Sequence, residues 1–415
     1  MAATDFQGRT AKGFVLGTHR IMSPAETLAR LLPHLAEFSI TRLANVTHLD
    51  EIGIPVALAV RPNSRSLSVA QGKGVDLIAA KVSAAMESIE QHLAEHDRLD
   101  VRWASYRDLA AHEAVVDPDR LPQRAGRHYD RERKILWTLA RVLTSGAPTW
   151  VPYELVHLNF TLPLPPGSGH FLGGSNGLAS GNHVLEAAVH AVTEIIERDA
   201  VALLYRRSAQ EQQLRRIELA SVGDELCRSL LARFECAGVA VAIWNASSDV
   251  GIPTFLCDVV DRETNVFRPI GSARGAGCHV DPSIALARAL TEAAQSRLTR
   301  ITGSRDDLQA DHVDAHRSAT KIEADQARVL APVRSGTQFD PRMPVLPSFE
   351  EELHYLLERI EAVGAGPILT VDLSQPGRPF HVLRAIVPGL EGSADSPGYA
   401  PSARAGGGSP LEATA

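Results

Sequence analysis

Three short stretches of this 415-residue chain carry acidic side chains at a spacing that could hold cations. The first is Ser83-Ala-Ala-Met-Glu87-Ser-Ile-Glu90, and the second is His190-Ala-Val-Thr-Glu194-Ile-Ile-Glu197. The third is Arg288-Ala-Leu-Thr-Glu292-Ala-Ala-Gln295. Each joins an acid to a second acid or amide three residues on, with a polar side chain four residues before. On a helix these positions share one face, with Cβ atoms about 5–6 Å apart. The other positions are largely apolar, so the polar stripe lies against otherwise buried surface. An isolated pair of this kind is usually a solvated helix face. Threefold recurrence argues against that here, as does Glu186, which falls on nearly the same face as Glu194 and Glu197.

Acids gathered this way need cations. Two carboxylates about 4 Å apart repel by about 4 kcal/mol at an effective dielectric of about 20. Mg²⁺ relieves such repulsion, being oxygen-seeking and commonly shared between carboxylates and substrate phosphates. A glycine-rich approach precedes each stretch: Gly72-Lys73-Gly74, the run Gly173–Asn182, and Gly275-Ala-Gly277. Such turns admit a ligand to the backbone, and helix N-termini behind them suit phosphate. Gly74 precedes Glu87, and Gly181 precedes Glu194, by 13 residues; Gly277 precedes Glu292 by 15, two out of step. Arg198, Arg297 and Lys73, one of only five lysines, supply positive charge. Together these residues suggest an ATP site in which catalysis is positioning and charge neutralisation of phosphoryl transfer. Glu194, Glu197 and Arg198 are the residues expected to carry the chemistry. Neither a P-loop nor a G-x-G-x-x-G opening a helix is present, so any nucleotide site is of another kind.

The elements that must position these residues follow from periodicity. Helices are predicted over 24–37, 75–96, 183–206, 282–301 and 348–363. Strands are predicted over 40–46, 55–60, 238–245, 254–261, 266–272, 367–373 and 380–387. The 305–345 stretch reads as polar and irregular. The fold class is α+β, with one domain over 1–390 and a flexible Gly/Ser/Pro/Ala-rich tail over 391–415.

Composition narrows the function. A net charge of −7 with no long basic run argues against a nucleic-acid groove. No stretch approaches about 18 consecutive apolar residues, and the N-terminus lacks a signal-like apolar run, so a cytoplasmic protein without a membrane span is expected. Cys227, Cys236, Cys257 and Cys278 match no paired zinc spacing and read as ordinary thiols, with Cys278, after its glycine-rich turn, the one open to a reactive role. Asp311-His312-Val313-Asp314-Ala315-His316 puts two His at the helical zinc spacing, but in a polar setting without the Glu of a zincin, and reads as surface.

At these residues the sequence resembles the YcaO family, and especially members encoded beside TfuA proteins. The resemblance is carried by Arg61–Ser66 through Gly74 to Glu90, by Ser175–Asn182 with Glu186 through Glu194–Ala200, and by Ala289–Arg297. It spans about residues 17–390. It implies a YcaO-type ATP-binding fold in which Glu87, Glu90, Glu186, Glu194 and Glu197 hold Mg²⁺. Ser83, Asn182, Arg198 and Arg297 then contact the nucleotide, with Gln295 and Lys73 beside them. Members use ATP to phosphorylate the oxygen of a peptide backbone amide during attack by a nucleophile. A neighbouring side chain as nucleophile gives an azoline, and sulfide gives a thioamide. A peptide or protein substrate, a TfuA-like partner and a homodimer are further implications. The tail lacks the Pro-x-Pro-x-Pro ending of many ring-forming members, which fits the TfuA-linked type. Two other readings stand beside this one: a non-catalytic docking partner for a peptide- or ribosomal-protein-modifying enzyme, and a metal-dependent hydrolase using the same acids.

Overall fold

The computed structural model describes residues 9–96, 99–263, 269–307, 318–333 and 336–406. In chain order the first elements are α1 (Pro24–Leu31), β1 (Arg42–Asn45), β2 (Val56–Val60), β3 (Val69–Lys73) and α2 (Leu77–Glu95). Next come β4 (Val101–Ala104), α3 (Tyr106–Ala110), β5 (Ile135–Val142), β6 (Pro148–Pro152), β7 (Leu178–Gly181) and α4 (Val184–Tyr205). Then follow α5 (Ala209–Leu214), α6 (Glu225–Cys236), β8 (Val239–Asn245), β9 (Thr254–Asp261), β10 (Ala273–Cys278) and α7 (Pro282–Thr302). Helices Ala319–Leu330 and Phe349–Ala362 precede the closing strands β11 (Leu369–Asp372) and β12 (His381–Ile386).

The strands form three sheets, ordered β1-β2-β3, β10-β9-β8 and β4-β5-β11-β12-β7, with β6 added to β5. Within them every strand pairing is antiparallel. This is the mixed α+β architecture expected, and each sheet contributes one strand that runs directly into an acid-bearing helix: β3 into α2, β7 into α4, β10 into α7.

Glycine sets how closely those helices lie on their strands. A Cβ on Gly72 would overlap the Ala80 carbonyl oxygen and the Ala84 nitrogen of α2. A Cβ on Gly277 would do the same to Ala285 and Ala289 of α7, and one on Gly275 to Ala289 and Ala293. One on Gly181 would stand 2.7 Å from the Ala187 nitrogen of α4. The glycine-rich approaches therefore serve backbone-to-backbone packing rather than a phosphate loop. The helix N-termini behind two of them are already capped, since Asp76 accepts from the Ala79 N–H (2.7 Å) and Asp281 from the Ser283 N–H (2.8 Å). A capping carboxylate there repels a phosphate.

The packing also removes the apparent slip of the third unit. Gly72 precedes Glu87 by 15 residues, as Gly277 precedes Glu292, and both glycines meet the helix residues 8 and 12 positions on. Of the strand expected at 266–272, residues 266–268 lie outside the described residues and 269–272 are not strand; a strand runs over Ala273–Cys278, whose glycines resemble a turn in composition. The region 305–345 contains a helix, Ala319–Leu330. The Asp311–His316 pair lies outside the described residues.

The boundary expected at 390 is corrected as well. Residues 391–406 are packed, not loose: Glu391 is buried and accepts from Tyr399 Oη (2.8 Å), Ser402 N (3.0 Å) and Ala405 N (3.2 Å). Arg404 in turn reaches Asp199 on α4 (2.6 Å) and Asp249 (2.6 Å). Polar anchors, which hydropathy does not register, hold this segment. Residues 407–415 lie outside the described residues.

Replacing Gly72 or Gly277 by Ala forces a helix off its strand and should cost about 3 kcal/mol or more. Gly223→Ala, where an added Cβ meets nothing within 4 Å, should be near neutral. Denaturant midpoints of the three variants check this.

Candidate active site

The acid-bearing faces of α2, α4 and α7 meet around one cavity of about 430 Å³. Glu87, Glu90, Glu186, Glu194, Glu197 and Glu292 line it, together with Lys73, Ser83, Asn182, Arg198 and Gln295. Residues more than 200 positions apart thus share one hollow. Lys73 on β3 pairs with Glu292 on α7, and the Ser180 hydroxyl on β7 donates to Glu90 on α2. Arg198 lies 3.5 Å from Glu197, and Gln295 Nε2 donates to the Gln71 carbonyl at 2.9 Å.

The glutamates are not equivalent. Burial pushes the Glu87 and Glu194 carboxyls up to about 7 and that of Glu90 up to about 8. Lys73 offsets this in part at Glu87, Arg198 at Glu194 and the Ser180 hydroxyl at Glu90, while neighbouring carboxylates add to it. Glu197 is raised for the same reason. Glu292 goes the other way: although buried, it is held below the usual carboxylate range by Lys73 and Arg198. Burial also works against the Arg198 charge, but Glu197, Glu292 and Glu194 outweigh it and keep the guanidinium firmly protonated. Glu186 is engaged in the fold, accepting from Ile21 N (2.9 Å) and Asn182 N (3.2 Å) with Arg20 at 3.5 Å.

Four partly or fully buried carboxyls that the fold leaves short of positive charge, all offering hard oxygen donors, fit a divalent cation such as Mg²⁺. Among the described residues, the group whose ligating atoms already converge within 4.8 Å lies elsewhere: His19, His279 and Glu352. Lys12 Nζ sits 2.7 Å from Glu352, in the place of a metal cation. The Asp281 N–H donates to His279 Nδ1 at 3.0 Å, so the ring proton is on Nε2, facing Glu352 Oε1 at 3.4 Å. That cluster is a structural tie between the N-terminal segment and helix Phe349–Ala362, held by Lys12 and His19 on Glu352 Oε2, with Glu352 Oε1 left without a hydrogen bond.

One expected ligand is not brought to the cavity. Arg297 is 1% exposed and pairs with Asp50 (2.9 Å) and Asp261 (2.8 Å), behind α7. The arginine of α7 that lines the cavity is Arg288, with Nη1 3.2 Å from His190 Nδ1. Nine residues are two and a half helical turns, so the two arginines face opposite ways. The signal was present, because Arg288 stands four residues before Glu292, in register with Ser83 and His190. Arg20 and Arg305 line the cavity too and carried no sequence signal. Cys278 is fully buried and burial pushes its thiol up to about 12, which rules out a reactive thiolate.

Comparison with known proteins places this geometry. Residues 71–391 match the family described as YcaO cyclodehydratase, binding ATP and Mg²⁺. A protein encoded in the tfuA 3′ region of Rhizobium leguminosarum bv. trifolii is 38% identical over 384 residues, 90% of this chain and 88% of that one. A protein of Methanothermobacter thermautotrophicus is 32% identical over 375 residues, covering 89% of this chain and 94% of the relative. The structure of YcaO from Methanopyrus kandleri bound with AMPPCP and Mg²⁺ superposes with a TM-score of 0.69 at 22% identity, over 92% of this chain and 95% of that one. A heterocyclase in complex with substrate and cofactor superposes with a TM-score of 0.74 at 21% identity, over 93% of this chain; it is longer, and only 54% of it is covered. The fold and site therefore define an ATP- and Mg²⁺-binding class of protein. This chain belongs to the YcaO family. No helix among the described residues is long and apolar enough to cross a membrane.

Two outcomes follow for solution work. Each raised carboxyl holds its proton more tightly in the fold than in the unfolded chain, so its contribution to stability is present below about pH 4.5 and lost as pH climbs through about 7–8. Mg²⁺ binds the deprotonated form, so the Mg²⁺-induced rise in Tm should grow several-fold between about pH 5.5 and 8. A Glu87→Gln, Glu90→Gln double variant should flatten that growth, as read by thermal shift. Separately, Arg288→Ala should weaken nucleotide binding at least tenfold with little loss of stability, whereas Arg297→Ala strands the buried carboxylate of Asp50 and the partly buried one of Asp261 and should cost about 3 kcal/mol. Calorimetry with Mg²⁺·AMPPCP and denaturant melts separate the two.

Proposed function

We propose that this chain uses ATP and Mg²⁺ to activate the oxygen of a peptide backbone amide by phosphorylation, leading to a thioamide or an azoline. The observation that carries this reading is the single cavity ringed by Glu87, Glu90, Glu194 and Glu197, with Lys73, Arg198 and Arg288 on its walls. A nucleophile adds to the amide carbon and the C=O electron pair moves to oxygen. That oxygen takes the γ-phosphoryl group of ATP, ADP departs, and inorganic phosphate then leaves where an amide oxygen could not. Glu87, Glu90, Glu194 and Glu197, with Glu186 at the rim, are the residues that would hold Mg²⁺. Bound Mg²⁺ would supply neutralisation of charge developing on the phosphoryl oxygens. Arg198, fixed between Glu197 and Glu292, orients the phosphate chain, and Ser83, Asn182, Gln295 and Lys73 position the nucleotide.

A ribosomally made peptide or protein is the substrate on this reading, a homodimer the assembly, and the tfuA neighbourhood of the Rhizobium relative supports a TfuA-like partner. Sulfide as nucleophile fits the same neighbourhood. The complement of acids and bases in the cavity speaks for an enzyme rather than a docking scaffold.

Glu194→Gln combined with Glu197→Gln should fold with an unchanged or higher Tm, since two strained charges are removed, yet lose ATP turnover at least 100-fold. A phosphate-release assay checks this; normal turnover by the variant would sink the reading. Mass spectrometry of a reconstituted reaction distinguishes ring formation, which loses water, from exchange of oxygen for sulfur.

A further inference from the structure

A second cavity, of about 320 Å³, adjoins the first and shares Ser175, Glu194, Arg198 and Arg305 with it. The shared residues mark where the two cavities meet, with Glu194 and Arg198 on the nucleotide side if the proposed function holds. Across from them, the packed C-terminal segment supplies Ser393, Asp395, Ser396 and Pro397 as a wall. Apolar Leu155, Leu172, Ile195 and Leu390 complete a lining that is half polar and half apolar in character. Such a surface suits an extended peptide better than a second nucleotide.

Arg384 on β12 also lines this cavity and is 1% exposed. Its Nη1 and Nη2 donate to the carbonyls of Asn176 (2.7 Å) and Val156 (3.1 Å), and among the described residues no carboxylate pairs with it directly. Its buried Nε–H has no acceptor. A buried guanidinium normally has its donors filled, because an unmade hydrogen bond to a charged group is costly. Arg384 borders the cavity with this one donor unfilled, and Glu194 and Glu90 act on the same guanidinium through space.

We infer that the second cavity receives the target amide of the peptide substrate, and that Arg384 Nε–H donates to the carbonyl oxygen that becomes phosphorylated. This rests on the function proposed above. As the nucleophile adds to carbon, the oxygen gains the π electron pair. Arg384 stabilises that oxyanion while keeping its proton, and the oxygen then attacks the γ-phosphorus as ADP leaves. Glu194 and Arg198, common to both cavities, stand between the two reactants.

The test uses the full chain loaded with Mg²⁺ and AMPPCP, and N-acetyl-glycyl-glycine methylamide as an amide probe. In ¹⁵N NMR, the Arg384 Nε resonance, assigned by its loss in Arg384→Lys, should shift on titration with the probe. Arg384→Gln should bind Mg²⁺·AMPPCP within twofold of wild type yet weaken the probe at least tenfold. Ser396→Trp, which fills the cavity from a half-buried position on its wall and leaves Arg384 intact, should do the same. Probe binding that leaves Arg384 Nε unmoved, no probe binding to nucleotide-loaded wild type, or equal binding to wild type and variants overturns the inference and leaves the proposed function standing. Failure of wild type to bind Mg²⁺·AMPPCP at all instead overturns the proposed function, and this inference with it.

Discussion

Three helices rest on three strands through glycines that leave no side chain of their own at the contact, and the remainder of the molecule depends on that approach. Where Gly72, Gly181 and Gly277 meet the backbones of α2, α4 and α7, a methyl group would prop the helix away. The shortened distance brings each helix's polar face to a common height. Every unit then presents the same two positions, occupied by Glu87 and Glu90, Glu194 and Glu197, Glu292 and Gln295. The sheets differ in size and order, yet the first and third units keep one register.

Electrostatics follows from that geometry. A hollow surrounded by alanine-rich helices is poorly hydrated, so carboxyls on its walls hold protons up to neutral pH. The fold gives one of them, Glu292, a resident ammonium from Lys73, and on the function proposed above Glu87, Glu90 and Glu194 are left for a guest cation. The division assigns fixed charge to α7 and exchangeable charge to α2 and α4. His190, buried beside Arg288, stays neutral because burial and nearby cations disfavour its proton.

Much of this was legible in the residues. The three acid stripes, their helices and the α+β class were visible because helical periodicity and side-chain type are local properties. What the sequence obscured depended on which way a residue faces or on what lies across from it. Arg297 and Arg288 sit on one helix and only their angular separation distinguishes a structural ion pair from a cavity wall. Gly275 and Gly277 look like a loop until the helix above β10 is known. Residues 391–406 carry a loose composition, but their order comes from Asp199 and Asp249, more than 140 positions away in the chain. Arg384 gave no local signal, because a single arginine in an apolar strand is defined only by the carbonyls and the hollow around it.

The anchoring of the C-terminal segment has a practical side. Asp199 is the neighbour of Arg198 and is wholly inaccessible to solvent, satisfied by the Glu391 N–H at 2.9 Å and the Arg404 guanidinium. A shortened chain ending near residue 390 would look like harmless trimming in an expression design. It would in fact abandon an uncompensated anion one residue from cavity-lining Arg198, a cost of several kcal/mol. The turn carrying Arg404 thus braces the helix that lines the cavity, and its integrity belongs among the first things to verify in any inactive preparation.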